Sequence, residues 1–375
     1  MRVLVAPQEF KGSLTASEAA AAIAAGVRDA LPGATVDVVP MSDGGAGLVD
    51  ALLAARGGER ITTRVHDPLM RPVDATWAHL ADGTAAIEMA AASGLILVAP
   101  AERKPLAATT YGTGELVRAA LDRGCTRIIV GVGGSATVDA GAGALQALGV
   151  RLLAADGVEL PRGAGPPVAL DRIDLSHRDP RLARATIRVA CDVTNTLCGP
   201  EGAAAVFGPQ KGASPDQVPL IDAALRRFAT VAARDAGVDV LAVAGGGAAG
   251  GLAAGLIAGA GATIERGFPL VAHAVGLAAR VAAADLVIAG EGRLDAQTSF
   301  GKTAAGVADL ARAHGRPVAI VAGVVDPAYD RSAIPFDAVE QATPSGMAVG
   351  DAMRDAARLL RQAAARVTRA CTSAP

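Results

Sequence analysis

The chain has 375 residues, a length that suits two domains better than one core. Its formal net charge is -2 and only 2% of its residues are aromatic, so it offers neither a basic surface nor stacking platforms for nucleic acid. The four cysteines show no metal-binding or redox spacing, which favours a reducing compartment. We therefore expect a cytoplasmic protein without a nucleic-acid partner.

The first 65 residues alternate strands and helices. Residues 2–6 form an apolar run of strand length, and Thr15 with Glu18 matches a capping box, which predicts a helix start. A second strand is expected at 35–39 and a second helix at 46–55. This β-α-β-α order is typical of a parallel sheet.

The middle of the chain changes character near Pro68 and Pro72, where no helical period is visible. The apolar stretch 240–262 is interrupted by glycines and lacks flanking basic clusters, so we predict a buried strand, a glycine loop and a buried helix, not a membrane span. No membrane partner is therefore expected.

The alternating pattern returns near the C-terminal end, with predicted strands at 285–289 and 317–322 and helices at 302–314 and 347–368. We therefore predict an α/β fold with a Rossmann-like, doubly wound parallel-sheet domain and a second α/β domain inserted into it. The first domain would comprise residues 1–65 plus 281–375, and the inserted domain residues 66–280.

Polar loops follow the first two predicted strands. Lys11 and Ser13 lie just before a helix, where a cation, a hydroxyl and free amides suit an anion; the alternative is a solvated lysine and a capping serine. Asp43 precedes two glycines, which suits a metal or hydroxyl contact, although this loop taken alone favours a simple Asx turn.

Two glycine-rich segments, 131–136 and 245–250, match the dinucleotide pattern G-x-G-x-x-G/A, and Asp156 lies about 20 residues after the first. Neither follows the first strand, where that pattern usually lies. We interpret both as backbone loops for phosphate or carboxylate oxygens, with Gly133, Gly134 and Ser135 as the donors of the first.

Two further loops carry candidate ligands in the middle of the chain. Asp192 and Asn195 follow a short predicted strand and suit substrate hydroxyls or a metal; the alternative is a turn with an Asx cap. Lys211 is presented by a Gly-Pro and Lys-Gly loop, where a phosphate or a carboxylate would be a reasonable partner.

The most informative loop is 290–298, which places acids, a base and an amide between a buried strand and a helix. Phosphoryl transfer needs such a set, because acids hold Mg²⁺ or orient a hydroxyl while cations neutralise the transferred group. Its candidate side chains are Glu291, Arg293, Asp295 and Gln297. Residues 301–303 mimic the end of a Walker A motif, but Ala296 stands where its first glycine is required, so the P-loop is absent.

Taken together, these loops resemble the bacterial glycerate kinase family of the glycerate 2-kinase type. The resemblance covers nearly the whole chain, in order. The matching segments are FKGS at 10–13, PMSDGG at 40–45, IEMA at 87–90, GTGEL at 112–116, GVGGSAT at 131–137, CDVTN at 191–195, GPQKG at 208–212, GAAGGL at 247–252 and GEGRLDAQT at 290–298.

The resemblance implies an enzyme that phosphorylates D-glycerate with ATP and Mg²⁺, yielding 2-phosphoglycerate, in a cleft between two domains. Our hypothesis assigns catalytic roles to Lys11, Asp43, Asp192 and Asp295, with Asp192 and Asp295 as the metal contacts. The expected substrate or phosphate contacts are Ser13, Gly133, Gly134, Ser135, Asn195, Lys211, Glu291, Arg293 and Gln297. A homodimer is one alternative for the assembly.

The sequence departs from the family pattern at four places. Gln8-Glu9 replaces Asp-Ser, Ala46 replaces a glutamate, Met70 replaces a glycine and Thr196 replaces a proline. These changes concern substrate detail more than reaction type.

Three alternatives remain open at this stage. One is a kinase of another small hydroxy acid or sugar acid. Another is an NAD-dependent hydroxy-acid dehydrogenase, which rests on the two glycine patterns. The third is a non-catalytic ligand sensor on the same fold.

Overall fold

The structure, a computed structural model, describes residues 1–295, 303–329 and 336–372. Its strands are β1 (Arg2–Pro7), β2 (Thr35–Val38), β3 (Gly58–His66), β4 (Pro72–Leu80), β5 (Thr84–Glu88), β6 (Arg127–Gly131), β7 (Arg151–Leu153), β8 (Arg172–Asp174), β9 (Thr186–Ala190), β10 (Thr263–Glu265), β11 (Leu286–Leu294), β12 (Val318–Val325) and β13 (Ala338–Gln341). Its α-helices are α1 (Ala16–Ala30), α2 (Leu48–Arg56), α3 (Ala90–Ser93), α4 (Tyr111–Asp122), α5 (Ala142–Ala147), α6 (Ala203–Phe207), α7 (Gln217–Asp235), α8 (Ala248–Ala260), α9 (Gly267–Ala274), α10 (Leu277–Ala282), α11 (Thr303–Ala313), α12 (Val349–Arg354) and α13 (Ala356–Thr372). Short 3₁₀ helices lie at Leu95–Leu97, Pro100–Glu102, Pro166–Ala169, Pro180–Arg184 and Pro209–Lys211.

The chain forms two compact units. The first unit comprises residues 1–43, 50–56 and the described part of 267–375, and the second comprises residues 44–49 and 57–266. The predicted α/β fold with parallel sheets is confirmed. The insertion of a domain 66–280 into a domain made of 1–65 plus 281–375 stays a prediction.

The sheet of the first unit is parallel throughout, in the order β13-β12-β11-β1-β2. The chain leaves β1 toward β2 and leaves β11 toward β12, in opposite directions. Because such crossovers are right-handed, α1 and α11 cover opposite faces of the sheet. The strand order reverses between β1 and β11, so the loops after these strands lie at the position where open α/β sheets bind ligands.

Helix α1 begins as the sequence predicts. The Thr15 hydroxyl accepts from the Glu18 amide, and the Glu18 carboxylate accepts from the Thr15 amide. The buried face of α1 then packs with α13 over β1, β11 and β12. The cap therefore fixes the N-terminal end of α1, directly after the loop that contains Lys11 and Ser13.

Helices α1 and α13 contact each other closely at Gly26. A Cβ there would lie 2.1 Å from the Arg361 carbonyl oxygen and 2.8 Å from the Ala364 Cβ. We expect Gly26→Ala to lower the free energy of unfolding by about 1–3 kcal/mol, since the overlap outweighs the gain of about 1 kcal/mol in helix propensity. Urea unfolding measures this. Gly33→Ala is the control, because its Cβ would meet nothing within 4 Å; equal effects of the two changes would contradict the prediction.

The main sheet of the second unit has the order β10-β9-β6-β5-β4-β3, parallel from β10 to β5 and antiparallel beyond. Strands β7 and β8 form a separate small sheet. The carboxyl ends of the parallel strands are in register, with Glu88 beside Gly131, Gly131 beside Ala190, and Ala190 beside Glu265. The loops after β5, β6 and β9 therefore leave the sheet side by side.

The apolar stretch 240–262 contains the predicted buried helix, α8, but not the predicted strand before it. Residues 240–243 are irregular instead, and the Leu241 amide, which a strand would use in its ladder, donates to the Asp239 carboxylate at 2.9 Å. The predicted glycine loop is present as turns at 244–247, where Gly245 has a φ of +82° and a Cβ on Gly247 would lie 2.2 Å from the Thr196 carbonyl oxygen. Among the described residues, no helix is long and apolar enough to cross a membrane.

Candidate active site

The loop after β6 packs against the backbone of residues 44 and 45. A Cβ on Gly131 would lie 2.4 Å from the Gly44 carbonyl oxygen, and one on Gly133 would lie 2.6 Å from the Gly45 Cα. The Glu88 carboxylate accepts a 3.0 Å bond from the Val49 amide at the start of α2. These glycines thus allow one loop to approach another.

No α-helix starts directly after this glycine loop. The next helix, α5, begins at Ala142, whereas a dinucleotide fingerprint opens a helix at the loop itself. Asp156 lies exposed in a tight turn, where its carboxylate accepts from the Val158 amide at 3.0 Å. The first glycine pattern therefore has neither the helix nor the ribose-binding acid that NAD binding requires.

Lys211 ends the 3₁₀ helix Pro209–Lys211 and points into the second unit. The residue is 2% exposed, and its Nζ donates to Ser135 Oγ at 2.6 Å and to the Thr137 carbonyl at 2.7 Å. Burial lowers the pKa of Lys211 to about 7, and the nearby charge of Asp139 opposes that shift. The structure thus brings together two residues that the sequence predicts separately, Ser135 and Lys211.

Asp139 supports this pair from within the core and is not among the predicted site residues. Its buried carboxylate accepts from the Thr110 amide and hydroxyl at 2.8 and 2.9 Å, and from the amides of Gly141 and Gly143 at 3.2 Å. Burial raises the pKa of Asp139, and these hydrogen bonds oppose the rise. The carboxylate therefore ties the loop after β6 to the start of α4.

Asp192 and Asn195 follow β9, the strand beside β6. The Asp192 side chain is 10% exposed, and its Oδ1 lies 3.8 Å from Arg266 Nε. The Asn195 amide nitrogen donates to the Glu201 carbonyl at 2.7 Å, so this side chain shapes its own loop. Asp192 thus follows the strand next to β6, at the same carboxyl edge of the sheet as the Gly133–Ser135 loop.

The second glycine pattern, 245–250, lies against the same loop. Ala249, Gly250 and Gly251 have positive φ angles at the start of α8. A Cβ on Gly250 would lie 2.0 Å from the Thr137 carbonyl oxygen. Close packing against Thr137 therefore accounts for the glycine at position 250.

In the first unit, the loop after β1 carries Glu9, Lys11 and Ser13. Lys11 is exposed, and the Ser13 hydroxyl donates to the Phe10 carbonyl at 2.9 Å. Burial raises the pKa of Glu9; the charge of Lys11 opposes this and that of Asp43 adds to it. The charges of Glu9, Lys11 and Asp43 thus lie close enough to influence one another.

The end of β11 runs beside this loop. Glu291 is buried, with 6% of its surface exposed, whereas Arg293 is exposed. The Arg293 Nη2 donates to the Asp326 carboxylate at 2.5 Å, and its Nε lies 3.7 Å from the Asp295 carboxylate. Contact with the Ala328 amide and with Arg293 lowers the pKa of Asp326. Sequence reasoning missed Asp326, which follows the neighbouring strand β12. Gln297 and Lys302 lie outside the described residues.

The predicted site residues thus divide between the two units. Lys11, Ser13, Asp43, Glu291, Arg293 and Asp295 belong to the first, and Gly133, Gly134, Ser135, Asp192, Asn195 and Lys211 belong to the second. Within the described ranges, no group of three or more His, Cys, Asp or Glu side chains is arranged to hold a metal ion by itself.

Comparison with known proteins identifies the family. Residues 3–372 match the model of the glycerate kinase family. The chain is 45% identical to glycerate kinase of Bacillus subtilis (strain 168), over 97% of this chain and 96% of the relative. It is 48% identical to glycerate 2-kinase of Escherichia coli (strain K12), over 86% and 85%.

A crystal structure from Salmonella typhimurium LT2, described as a glycerate kinase 2, superposes with a TM-score of 0.87. Its sequence is 46% identical, and the match covers 100% of this chain and 98% of that one. These matches leave the dehydrogenase and the non-catalytic sensor without support. The chain belongs to the glycerate kinase family and is a phosphotransferase with an alcohol group as acceptor.

Proposed function

We propose that the protein transfers the terminal phosphoryl group of ATP to D-glycerate and yields 2-phosphoglycerate. The observation that carries the proposal is the buried pair of Lys211 with Ser135 in the loop after β6, at the carboxyl edge of a parallel sheet in which the neighbouring strand β9 leads to Asp192. Such an edge is where open α/β sheets bind ligands. The similarity to the E. coli protein named glycerate 2-kinase supports the choice of hydroxyl.

In the second unit, Gly133, Gly134 and Ser135 would present donors to phosphate or carboxylate oxygens. Lys211 would supply the positive charge behind them. Phosphoryl transfer passes through a loose transition state that requires little deprotonation of the attacking hydroxyl. Asp192 would therefore act by positioning that hydroxyl or the phosphate groups.

In the first unit, Lys11 and Arg293 are the candidate cations for phosphate oxygens. Ser13 and Glu291 are candidates for substrate contact, and Asp43 and Asp295 are candidate acids. Arg293 is already oriented by Asp326 at 2.5 Å, which limits the conformational entropy it would lose on binding.

Mg²⁺ fits the residues that are present. Carboxylate oxygens are the ligands it prefers, and it is commonly held by one or two carboxylates together with substrate phosphates, so an all-protein cluster is not required. The candidate carboxylates are Asp192 in the second unit and Asp295 in the first, and when bound the ion neutralises phosphate charge.

A coupled ADP-release assay with purified protein, MgATP and D-glycerate tests the proposal. We expect turnover, with a 2-phosphate product identified by phosphorus NMR. L-glycerate and a panel of small sugar acids serve as matched acceptors. A 3-phosphate product would contradict the assigned hydroxyl, and ADP release only with another hydroxy acid would contradict the substrate. The same preparation reports the oligomeric state, for which a homodimer stays a prediction.

A further inference from the structure

Lys211 is buried, yet no carboxylate in the described ranges forms an ion pair with it. Its Nζ donates to two oxygens, Ser135 Oγ at 2.6 Å and the Thr137 carbonyl at 2.7 Å, and lies 5.9 Å from the centroid of the Phe207 ring. The nearby Asp139 carboxylate is occupied by the donors of residues 110, 141 and 143. The ammonium charge is thus solvated by oxygens and a ring face.

The charge state of Lys211 fixes the direction of the Ser135 hydroxyl. An ammonium group only donates, so Ser135 Oγ accepts from it and must direct its own proton elsewhere. A neutral amine has a lone pair as well as two N–H donors, so it can accept the Ser135 proton and turn the hydroxyl inward. Protonation of Lys211 removes that lone pair, and the only arrangement left is one in which Ser135 Oγ accepts from Nζ and its proton is available to a bound ligand.

We propose that protonated Lys211 is a positioning residue that makes Ser135 a donor to an anionic substrate oxygen, and that binding of this anion draws a proton onto Lys211. The inference rests on the proposed function, because the anion is taken to be a carboxylate oxygen of glycerate or a phosphate oxygen of the nucleotide. Both sources offer the same chemistry, an anionic oxygen that accepts from a hydroxyl.

The electrostatics around Lys211 agree with this coupling. Burial brings its pKa to about 7, so a small change in nearby charge alters its protonation near neutral pH. The charge that acts on Lys211 is that of Asp139, and Arg103 binds the neighbouring Gln210 carbonyl through its guanidinium at 3.0 Å. An anion at Ser135 would raise the pKa of Lys211. Anion affinity should therefore weaken as pH rises above about 7, where the free protein loses the proton.

The lysine content of the chain makes a direct measurement practical. There are four lysines, Lys11, Lys104, Lys211 and Lys302. Protein labelled with carbon-13 at lysine Cε would be titrated by NMR, first free and then with saturating D-glycerate, MgADP or inorganic phosphate. We expect one resonance, lost in Lys211→Met and kept in Lys104→Met, to titrate near pH 7, about three units below an ordinary lysine.

The titrations with ligand present test the inference. We expect one or both substrates to raise the titration midpoint of Lys211 by about one pH unit or more. In Ser135→Ala most of that rise should be lost, and the KM for the same substrate should increase about tenfold or more. The control is Ser93→Ala, which removes a buried hydroxyl that accepts from Thr113 at 2.7 Å; it should keep the rise. If Lys211→Met fails to fold, the Ser135→Ala titration still provides the comparison.

Three results would overturn the inference. They are an ordinary lysine midpoint for Lys211, a midpoint that saturating ligands leave in place, and an undiminished rise in Ser135→Ala. Turnover with an unmoved midpoint would refute this coupling and keep the kinase. Absence of turnover would refute the proposed function, and the inorganic phosphate titration would then decide whether the pair binds anions.

Discussion

Replacing Asp192 or Asp295 by asparagine should lower kcat about 10²–10³-fold, the size of effect seen when one group that stabilises a transition state is removed. Asparagine keeps the shape of each side chain and removes its charge. Asp192 follows β9, the strand that pairs with β6, and is 10% exposed, and Asp295 directly follows β11 in the first unit. Circular dichroism and thermal unfolding would verify that both variants fold.

The dependence on Mg²⁺ separates the two roles that an acid can have. A variant that has lost a metal contact should need more Mg²⁺ for half-maximal rate, because one anionic ligand is missing. A variant that has lost an orienting carboxylate should show a low kcat at every Mg²⁺ concentration. Titrating Mg²⁺ at fixed ATP and glycerate therefore assigns each acid.

Asp74→Asn is the matched control for these acid variants. Asp74 is an exposed residue of β4 whose carboxylate pairs with Arg64 at 2.9 Å, and exposed pairs contribute little to stability. It should retain normal turnover. If Asp192→Asn and Asp295→Asn both behaved like this control, the assignment of the two acids would be wrong.

Local signals in the sequence correctly predict the start of the first helix and the positions of several strands. The capping box at Thr15 and Glu18 places the start of α1, and the apolar runs place β1, β9, β11 and β12. The candidate loops follow from this, since parallel strands bring the residues after them to one edge. The single final helix predicted at 347–368 is instead two helices, α12 and α13, separated at Asp355.

Residues that act through tertiary contacts are harder to identify from sequence. From the sequence alone, Asp326 is an ordinary acidic residue in a turn, and only the pairing of β11 with β12 places it next to Arg293. Glu88 likewise gains a role only when the Val49 amide approaches it. No periodicity or motif distinguishes such residues, because their partners are 33 and 39 positions away in the chain.

Met70, which replaces a glycine of the family pattern, has an unusual backbone conformation. Met70 has a φ of +64°, a conformation that glycine adopts without strain and methionine does not. The Asp67 carboxylate holds the turn by accepting from the amides of Leu69 and Arg71 at 2.8 Å. The turn thus keeps a glycine-like geometry although the glycine is absent.

Replacing Asp139 by alanine should lower the free energy of unfolding by about 4–6 kcal/mol. The change removes the acceptor of five buried donors, which are the amide and hydroxyl of Thr110, the amides of Gly141 and Gly143, and the Thr109 hydroxyl at 3.4 Å; an unsatisfied buried donor costs about 1–3 kcal/mol. It also removes the negative charge nearest to Lys211, so the buried ammonium becomes harder to retain. Urea unfolding at pH 7 measures the loss.

Two variants show whether this loss comes from the hydrogen bonds of Asp139. Asp139→Asn retains one acceptor oxygen but places an NH₂ group against donors, so a smaller loss than in Asp139→Ala is expected. Asp156→Ala removes one exposed turn contact and should change stability by less than about 1 kcal/mol. A loss in Asp139→Ala no larger than in Asp156→Ala would mean that the loop after β6 is held by its glycine contacts. The buried carboxylate would then be dispensable for the fold, and its remaining role would be to tune the charge of Lys211.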